Sequence, residues 1–107
     1  MTDFEQDKHE TPVIFRVFEG DVIAIFPCLP WSIRGTDVAS YMHVGQHGAT
    51  EPAIVYRTRL AKPEEYEPLK RELEGLPFGY RLKVYKRITP EHRRACETER
   101  RRLRATL

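Results

Sequence analysis

The sequence predicts an α+β domain with a mainly antiparallel sheet of about five strands, in the order β-β-β-β-α-β-α. Two runs rich in β-branched and aromatic residues, 13–18 and 22–26, flank a short turn segment, which indicates a hairpin. A later stretch, 63–76, repeats apolar residues at spacings of three and four, which is typical of an amphipathic helix. A chain of 107 residues has room for one core, so we expect a single domain over 12–107 behind a flexible N-terminus at 1–11.

The first two strands are expected in the middle of the sheet. Gly20 supplies the positive φ that a tight turn between them needs. Both faces of these strands are apolar, which favours strands covered on both sides. Two prolines and a glycine in 27–35 then predict a loop that carries Trp31. We interpret Trp31 either as a lid on the core or as an anchor for a partner, because aromatic residues dominate many interfaces.

The third strand, predicted over 38–44, places Tyr41 and His43 on one face. Glycines then break it into a loop, and we call His43, Gln46 and His47 the histidine loop. These glycines argue against a helix, so the spacing of four does not place both histidines on one helical face. Zinc would need about two further ligands, and no serine or cysteine nucleophile is visibly paired with either histidine. Three interpretations stay open: histidines bonded to the backbone, a binding site, or a catalytic or metal site.

The fourth strand is predicted over 53–60, followed by a helix that packs on one face of the sheet. Pro63 is tolerated in the first turn of this helix, and glutamates there favour the positive end of the helix dipole. Gly75 and Pro77 are expected to end it. Its apolar stripe consists of Tyr66, Leu69, Leu73 and Leu76.

Residues 80–88 alternate between apolar and mostly basic side chains and predict a fifth, half-buried strand. Together with the fourth strand it predicts an open basic face on the side of the sheet away from the first helix. The predicted members of this face are Arg57, Arg59, Arg81, Lys83, Tyr85 and Arg87, joined by Tyr41 and His43. Cations that neutralise phosphates, with rings on which bases stack, are the ingredients of a nucleic-acid platform. The alternatives are an ordinary solvated sheet face or one covered by the last helix.

The last helix is predicted from about residue 90, with Thr89 as N-cap and Pro90 at the first helical position. Its apolar seam is thin and consists of His92, Cys96, Leu103 and Leu107. Three arginines lie beside that seam: Arg93, Arg100 and Arg104. So narrow a seam predicts weak docking, with a helix that projects or frays.

The charge is distributed unevenly along the chain. Residues 1–78 carry 8 Lys and Arg against 13 Asp and Glu, a net charge of −5, whereas residues 79–107 carry 10 against 3, a net charge of +7. A basic tail on an acidic body suggests an acidic partner, nucleic acid first. The alternative is a solvated helix whose charges keep the protein soluble.

Several classes of function are disfavoured by the sequence. The longest apolar run, 22–26, is far shorter than the roughly 20 residues that cross a bilayer, and the acidic N-terminus does not resemble a signal peptide. Free thiols at Cys28 and Cys96 are favoured over a long-range disulfide. No phosphate-binding glycine loop, CxxC pair or paired-carboxylate site is visible. We therefore expect a cytoplasmic protein with no cofactor and no membrane partner.

Three segments are similar to a small, uncharacterised family of bacterial proteins carried on plasmids, phages and integrated elements. They are GDVIAIFP at 20–27, SYMHVGQHG at 40–48, and the stretch from EY to GYRL at 65–82. The resemblance covers roughly residues 12–88 and leaves out the arginine-rich tail. Since that family has no established activity, the resemblance implies a bacterial cytoplasmic setting and transfers no site residue. By analogy, cargo of this kind includes DNA-handling accessories and inhibitors of host defence.

The leading hypothesis is a non-enzymatic binding protein that engages a nucleic acid or a nucleic-acid-handling protein complex. It would use Trp31, the histidine loop, the basic strand and the basic tail. The runner-up is a small hydrolase or metal-dependent enzyme centred on the histidine loop. A third hypothesis is a homodimer that pairs through an open sheet face or through the hairpin.

Overall fold

The computed structural model describes residues 10–42 and 46–107. The elements follow one another as β1 (Thr11–Phe18), β2 (Asp21–Pro30), β3 (Val38–Met42), β4 (Gln46–Thr50), a 3-10 helix (Pro52–Arg57), β5 (Arg59–Leu60), α1 (Pro63–Glu74), β6 (Leu82–Val84) and α2 (Pro90–Ala105). The predicted α+β class with a mainly antiparallel sheet is confirmed. The expected flexible N-terminus falls mostly on residues 1–9, outside the described residues, while Thr11 already belongs to β1.

The strands lie in the order β4-β3-β2-β1-β5, and each neighbouring pair is antiparallel. β6 runs parallel to the start of β1. The backbone of β1 bonds to it at two points, since Thr11 N–H donates to the Arg81 carbonyl at 2.7 Å and Tyr85 N–H donates to the Val13 carbonyl at 2.8 Å. Thr11, Val13 and Phe15 alternate along β1 toward one edge, so β6 and β5 share that edge.

The central hairpin is confirmed. Phe18 pairs with Asp21 across a two-residue turn in which Glu19 has φ 52° and Gly20 has φ 87°. Two successive positive φ values match the twist of the flanking strands, and glycine adopts one of them at no steric cost.

The core occupies both faces of the sheet. On the face covered by α1, buried side chains of the sheet meet buried side chains of the helix, and the cluster contains Val13, Phe15, Ala24, Phe26, Tyr41, Ala61, Leu69 and Leu73. On the opposite face the cluster contains Ile23, Ile25, Val38, Ile54 and Cys96, from the sheet, the 3-10 helix and α2. The apolar pattern on both faces of β1 and β2 therefore reflects a sheet lying between two layers, as the sequence predicts.

Two segments predicted as loops belong to strands. β2 continues to Pro30 through an irregularity in its register between Phe26 and Pro30, which accommodates residues that lack an N–H. β4 occupies the second half of the predicted glycine loop, where Gly48 pairs with Ser40 and its carbonyl accepts a bond from Ser40 Oγ at 3.1 Å. In both cases pairing with β3 outweighs the local preference for a turn.

The predicted fourth strand is wrong over most of its length. A 3-10 helix replaces it, and only Arg59 and Leu60 pair as a strand. The cause is a long-range partner: Arg16 Nη2 donates to the Val55 carbonyl at 2.8 Å and to the Thr58 carbonyl at 2.5 Å. These bonds satisfy carbonyls that a continuous strand would direct to a neighbouring strand.

Both helices begin where the sequence predicts, but α2 packs on the sheet and does not project from it. α1 ends at Glu74 with Gly75 as C-cap, so Leu76 lies beyond the helix and is 95% exposed. At the start of α2, Thr89 Oγ1 accepts from His92 N–H at 3.1 Å. The helix packs on the sheet through three side chains that are almost fully buried: His92, Cys96 and Arg100. The expectation of a projecting or fraying helix is wrong, because Arg100 widens the seam.

Candidate nucleic-acid interface

The predicted basic sheet face does not exist as an open surface. α2 and the 3-10 helix cover the side of the sheet on which it was expected. Tyr41 instead faces α1, where its hydroxyl donates to the carboxylate of Glu72. Arg57 lies exposed at the end of the 3-10 helix, and Arg59 forms a bidentate pair with Glu65 at 2.7 and 2.9 Å.

Six exposed cations lie in one short stretch, which we call the basic segment. Its members lie just before and on β6, in the following loop and in the first turns of α2: Arg81, Lys83, Lys86, Arg87, Arg93 and Arg94. All six are exposed. Within the part of the chain that the structure describes, only Arg94 has a carboxylate partner, at 3.8 Å from Glu91. The other five have no carboxylate partner among the described residues.

The strand β6 sets the direction of the first two cations. Leu82 and Val84 pack against the core on the α1 face, so the alternation of the strand turns Arg81 and Lys83 toward solvent. The sequence alternation over this strand is therefore correct, although the strand is shorter than predicted and lies at the sheet edge.

Tyr85 connects β6 to α2. Its ring meets the ring of His92 edge to face, with centroids 4.4 Å apart, and Lys83 Nζ lies 5.7 Å from its centroid. His92 Nδ1 in turn accepts from Thr89 N–H at 3.1 Å. Burial lowers the pKa of His92, which favours the neutral ring that can accept this bond. These contacts fix the start of α2, and with it Arg93, beside the end of β6.

The arginines near the end of α2 each form an ion pair with a glutamate of the same helix. We call them the paired arginines: Arg100, Arg101, Arg102 and Arg104. The side chain of Arg100 is 4% exposed; its Nε donates to the Ser32 carbonyl at 3.1 Å and its Nη2 to the Asp37 carbonyl at 2.7 Å. Arg104 Nη1 donates to the Ile33 carbonyl at 2.8 Å.

Glu97 lies 3.4 to 3.5 Å from three of these guanidinium groups, and Glu99 binds Arg102. The paired arginines thus fasten α2 to the loop after β2. Trp31 begins that loop, where its N–H donates to the Asp37 carbonyl at 3.1 Å and its residue is 49% exposed. Half of Trp31 remains available for contact with a partner.

The histidine loop is only partly described. His43 and the side chain of Gln46 lie outside the described residues. The ring of His47 packs among aromatic rings, with centroids 4.8 Å from Tyr41, 5.2 Å from Phe78 and 6.1 Å from Tyr80. Its Nε2 lies 3.1 Å from the Tyr80 hydroxyl. These contacts give His47 a packing role on the α1 face.

Two phenols beside His47 are held in the neutral form. The hydrogen bond to Glu72, together with burial, raises the pKa of Tyr41 to about 12. Burial also raises the pKa of Tyr80. Residues 10–42 and 46–107 contain no group of three or more histidines, cysteines, aspartates or glutamates that could hold a metal ion.

Sequence reasoning missed two cations of the basic segment, Lys86 and Arg94. A count of basic residues over 81–94 would have included them, because six cations there face one acid, Glu91. Among the predicted residues, Arg81, Lys83, Tyr85 and Arg87 lie within one stretch of the chain, and the contact between Tyr85 and His92 places the start of α2, with Arg93, beside them. Arg59, Arg100 and Arg104 are instead bonded within the protein.

No protein-family model, no curated protein and no solved structure matches this chain. The resemblance to bacterial mobile-element proteins therefore stays a prediction from the sequence. None of the helices in the described part of the chain is long and apolar enough to cross a membrane.

Proposed function

We propose that this protein binds nucleic acid and that the basic segment contacts its phosphates. One observation carries the proposal: six exposed cations lie within residues 81–94, and among the described residues only one of them has a carboxylate partner. Phosphates that replace the counterions of such a surface gain free energy, because the released counterions gain entropy. Each phosphate contact adds about 0.7 to 0.9 to the slope of log K against log salt concentration.

A nucleic acid fits this surface better than a protein partner does. The cores of protein interfaces are depleted in charged residues as a class, although arginine and aromatic residues are enriched there. The basic segment instead has six charges of one sign around one aromatic ring, Tyr85, and four of these charges are arginines, whose planar groups match phosphate geometry. An acidic protein is the competing partner, and the experiment below separates the two.

The proposed role is binding, in the bacterial cytoplasm, as an accessory or host-defence inhibitor encoded on a mobile element. Two unpaired cysteines, Cys28 and Cys96, are compatible with a reducing compartment. At His47 a packing role is favoured over a catalytic one: in the described part of the chain its Nε2 lies 3.1 Å from the hydroxyl of Tyr80, and burial disfavours the phenolate that could act as a nucleophile.

Fluorescence anisotropy with labelled single-stranded DNA, duplex DNA and RNA at about 50 and 200 mM salt tests the proposal. The test variant is Arg87→Gln/Arg93→Gln. Its matched control is Arg101→Gln/Arg102→Gln, which removes the same net charge from arginines that are already paired with Glu97 and Glu99. We expect the test variant to bind about tenfold more weakly at the lower salt concentration and to lose about 1.4 to 1.8 from the salt slope.

The control should keep its salt slope, because the charges it removes are already neutralised by Glu97 and Glu99. Equal losses of slope in both variants would mean that net charge alone attracts the nucleic acid. Absence of binding by the wild-type protein at low salt would overturn the proposal. Competition by polyglutamate as strong as that by polythymidylate would point to an acidic protein instead.

A further inference from the structure

A pocket of about 360 Å³ opens beside the basic segment. It lies between the start of α1 and the end of β6. Its lining includes two tyrosines, two lysines and two apolar side chains: Tyr66, Tyr85, Lys62, Lys86, Phe15 and Leu60. This volume falls in the range of about 300 to 1,000 Å³ that is typical of small-molecule sites. Because Lys86 and Tyr85 line the pocket, it opens directly from the basic segment.

The lining offers flat, apolar surfaces with cations beside them. Tyr66 stacks on the fully buried ring of Phe15, with centroids 4.5 Å apart and an angle of 11° between the planes. Phe15 thus holds the tyrosine ring in a fixed orientation. Tyr85 is held by His92 and forms part of the β6 wall of the pocket. A planar heterocycle can stack on such rings, and the lysines are placed for the phosphates attached to it.

The carboxylate of Glu65, in the first turn of α1, does not oppose such a ligand with an uncompensated charge. It accepts two bonds from Arg59 and one from the N–H of Lys62 at 2.8 Å. These bonds lower the pKa of Glu65 to about 2, with the Arg59 bond as the largest cause. Among the described residues, a larger pocket of about 440 Å³ near the hairpin turn is lined by Asp21 and Glu65 and by no cation, so it suits a phosphate less well.

We infer that the pocket between Tyr66 and Tyr85 receives one unpaired base of a single-stranded nucleic acid. Lys62 and Lys86 contact the phosphates on either side of that base. This inference rests on the proposed function and adds a preference for single strands, since a base in a duplex must first be unpaired and unstacked before it can enter.

The test compares oligothymidylate with an abasic oligonucleotide of equal length and charge, by fluorescence anisotropy. We expect the wild-type protein to bind oligothymidylate about tenfold more tightly than the abasic strand, because stacking is lost with the bases. Tyr66→Leu and Tyr85→Leu keep apolar volume but remove the aromatic ring. Each should remove most of this preference, by lowering the affinity for oligothymidylate much more than the affinity for the abasic strand, which a merely misfolded variant would not do.

Tyr56→Leu is the matched control, because Tyr56 is 82% exposed on the 3-10 helix and does not line the pocket. Equal wild-type affinity for the two strands would overturn the inference and leave the proposed function standing. Failure to bind either strand would overturn both. If a leucine variant does not fold, photocrosslinking of the wild-type protein to an iodouracil oligonucleotide decides: a crosslink at Tyr66 or Tyr85 supports the inference, and crosslinks at other residues alone contradict it.

Discussion

The basic segment and the paired arginines are close in sequence and similar in composition, yet their charges do different things. In the basic segment six cations accompany one acid, and the side chains extend into solvent. In the paired arginines four cations accompany Glu97 and Glu99, which reach them at spacings of three, four and seven along the helix. A count of positive charges therefore does not identify a binding surface. Such a surface is identified by cations that are exposed and not paired with a carboxylate.

The difference has two physical origins. On a helix, residues three and four apart are neighbours, so a glutamate placed there neutralises an arginine without help from the rest of the fold. Burial adds the second origin, because Arg100 is enclosed by the loop after β2 and satisfies two of its carbonyls. The strand and loop of the basic segment provide neither arrangement.

The largest expected effect comes from Arg100→Met, which keeps an apolar side chain but removes the donors to Ser32 and Asp37. We expect the free energy of unfolding to fall by about 3 kcal/mol, since two hydrogen bonds from a charged donor are lost and each such bond contributes about 1.5–3 kcal/mol. Urea unfolding followed by circular dichroism measures it. Arg101→Met is the control, because its side chain is 71% exposed and its loss should cost no more than about 0.5 kcal/mol. Equal costs at both positions would remove the distinction between the two groups.

The second expected effect, in the basic segment, is a loss of binding without a loss of stability. Arg87→Gln/Arg93→Gln should leave the free energy of unfolding within about 0.5 kcal/mol of the wild-type value, because both side chains are exposed. The same variant should lose about tenfold in affinity for nucleic acid. Unfolding and binding are measured on one preparation. A large loss of stability would show that these arginines support the fold.

A third variant is designed to convert a paired arginine into an available one. Glu99→Gln removes the carboxylate that binds Arg102, whose side chain is 61% exposed. We expect affinity for nucleic acid to rise about two- to threefold at low salt, as one more cation becomes available. Glu74→Gln, which releases Lys70 on α1, serves as a control away from the arginine-rich helix. An equal gain in both variants would show a general effect of net charge.

The smallest expected effect is a difference in acid sensitivity. The hydrogen bond from Arg102 lowers the pKa of Glu99 below its usual value. A lowered pKa stabilises the folded state above the unfolded pKa of about 4.5, and this contribution is lost as the pH falls through the folded value. Urea unfolding at pH 7 and pH 3 should therefore show a smaller acid-induced loss of stability in Arg102→Gln than in the wild-type protein. Arg93→Gln, which leaves the bond between Arg102 and Glu99 in place, should lose as much stability between pH 7 and pH 3 as the wild-type protein.

The candidate interface could be predicted only in part. Alternation over 80–88 predicts Arg81, Lys83 and Arg87 as outward-facing, and all three are exposed. Strand geometry explains this only at β6, because a strand directs alternate side chains to opposite sides, whereas Arg87 lies in the loop after it. Arg59 was assigned to the same surface, but it pairs with Glu65, six residues away, across the turn into α1. The alternation of apolar and polar residues cannot predict an ion pair between a strand and the following helix.

The sequence alone determined the features that depend on neighbouring residues. These are the hairpin turn at Glu19 and Gly20, the start of α1, the Thr89 cap of α2 and the two-sided apolar pattern of β1 and β2. Each follows from local φ preferences, from capping or from the period of apolar residues.

Only the tertiary structure decided the features that join distant residues. Arg100 and Ser32 are 68 positions apart, and Arg16 and Thr58 are 42 apart, yet these contacts decide which arginines are buried and where a strand gives way to a 3-10 helix. The pocket between Tyr66 and Tyr85 likewise forms only when α1 and β6 meet at one edge of the sheet. Hydrogen bonds and burial between distant segments outweigh local propensity because an unpaired buried polar group costs more than an unfavourable local conformation.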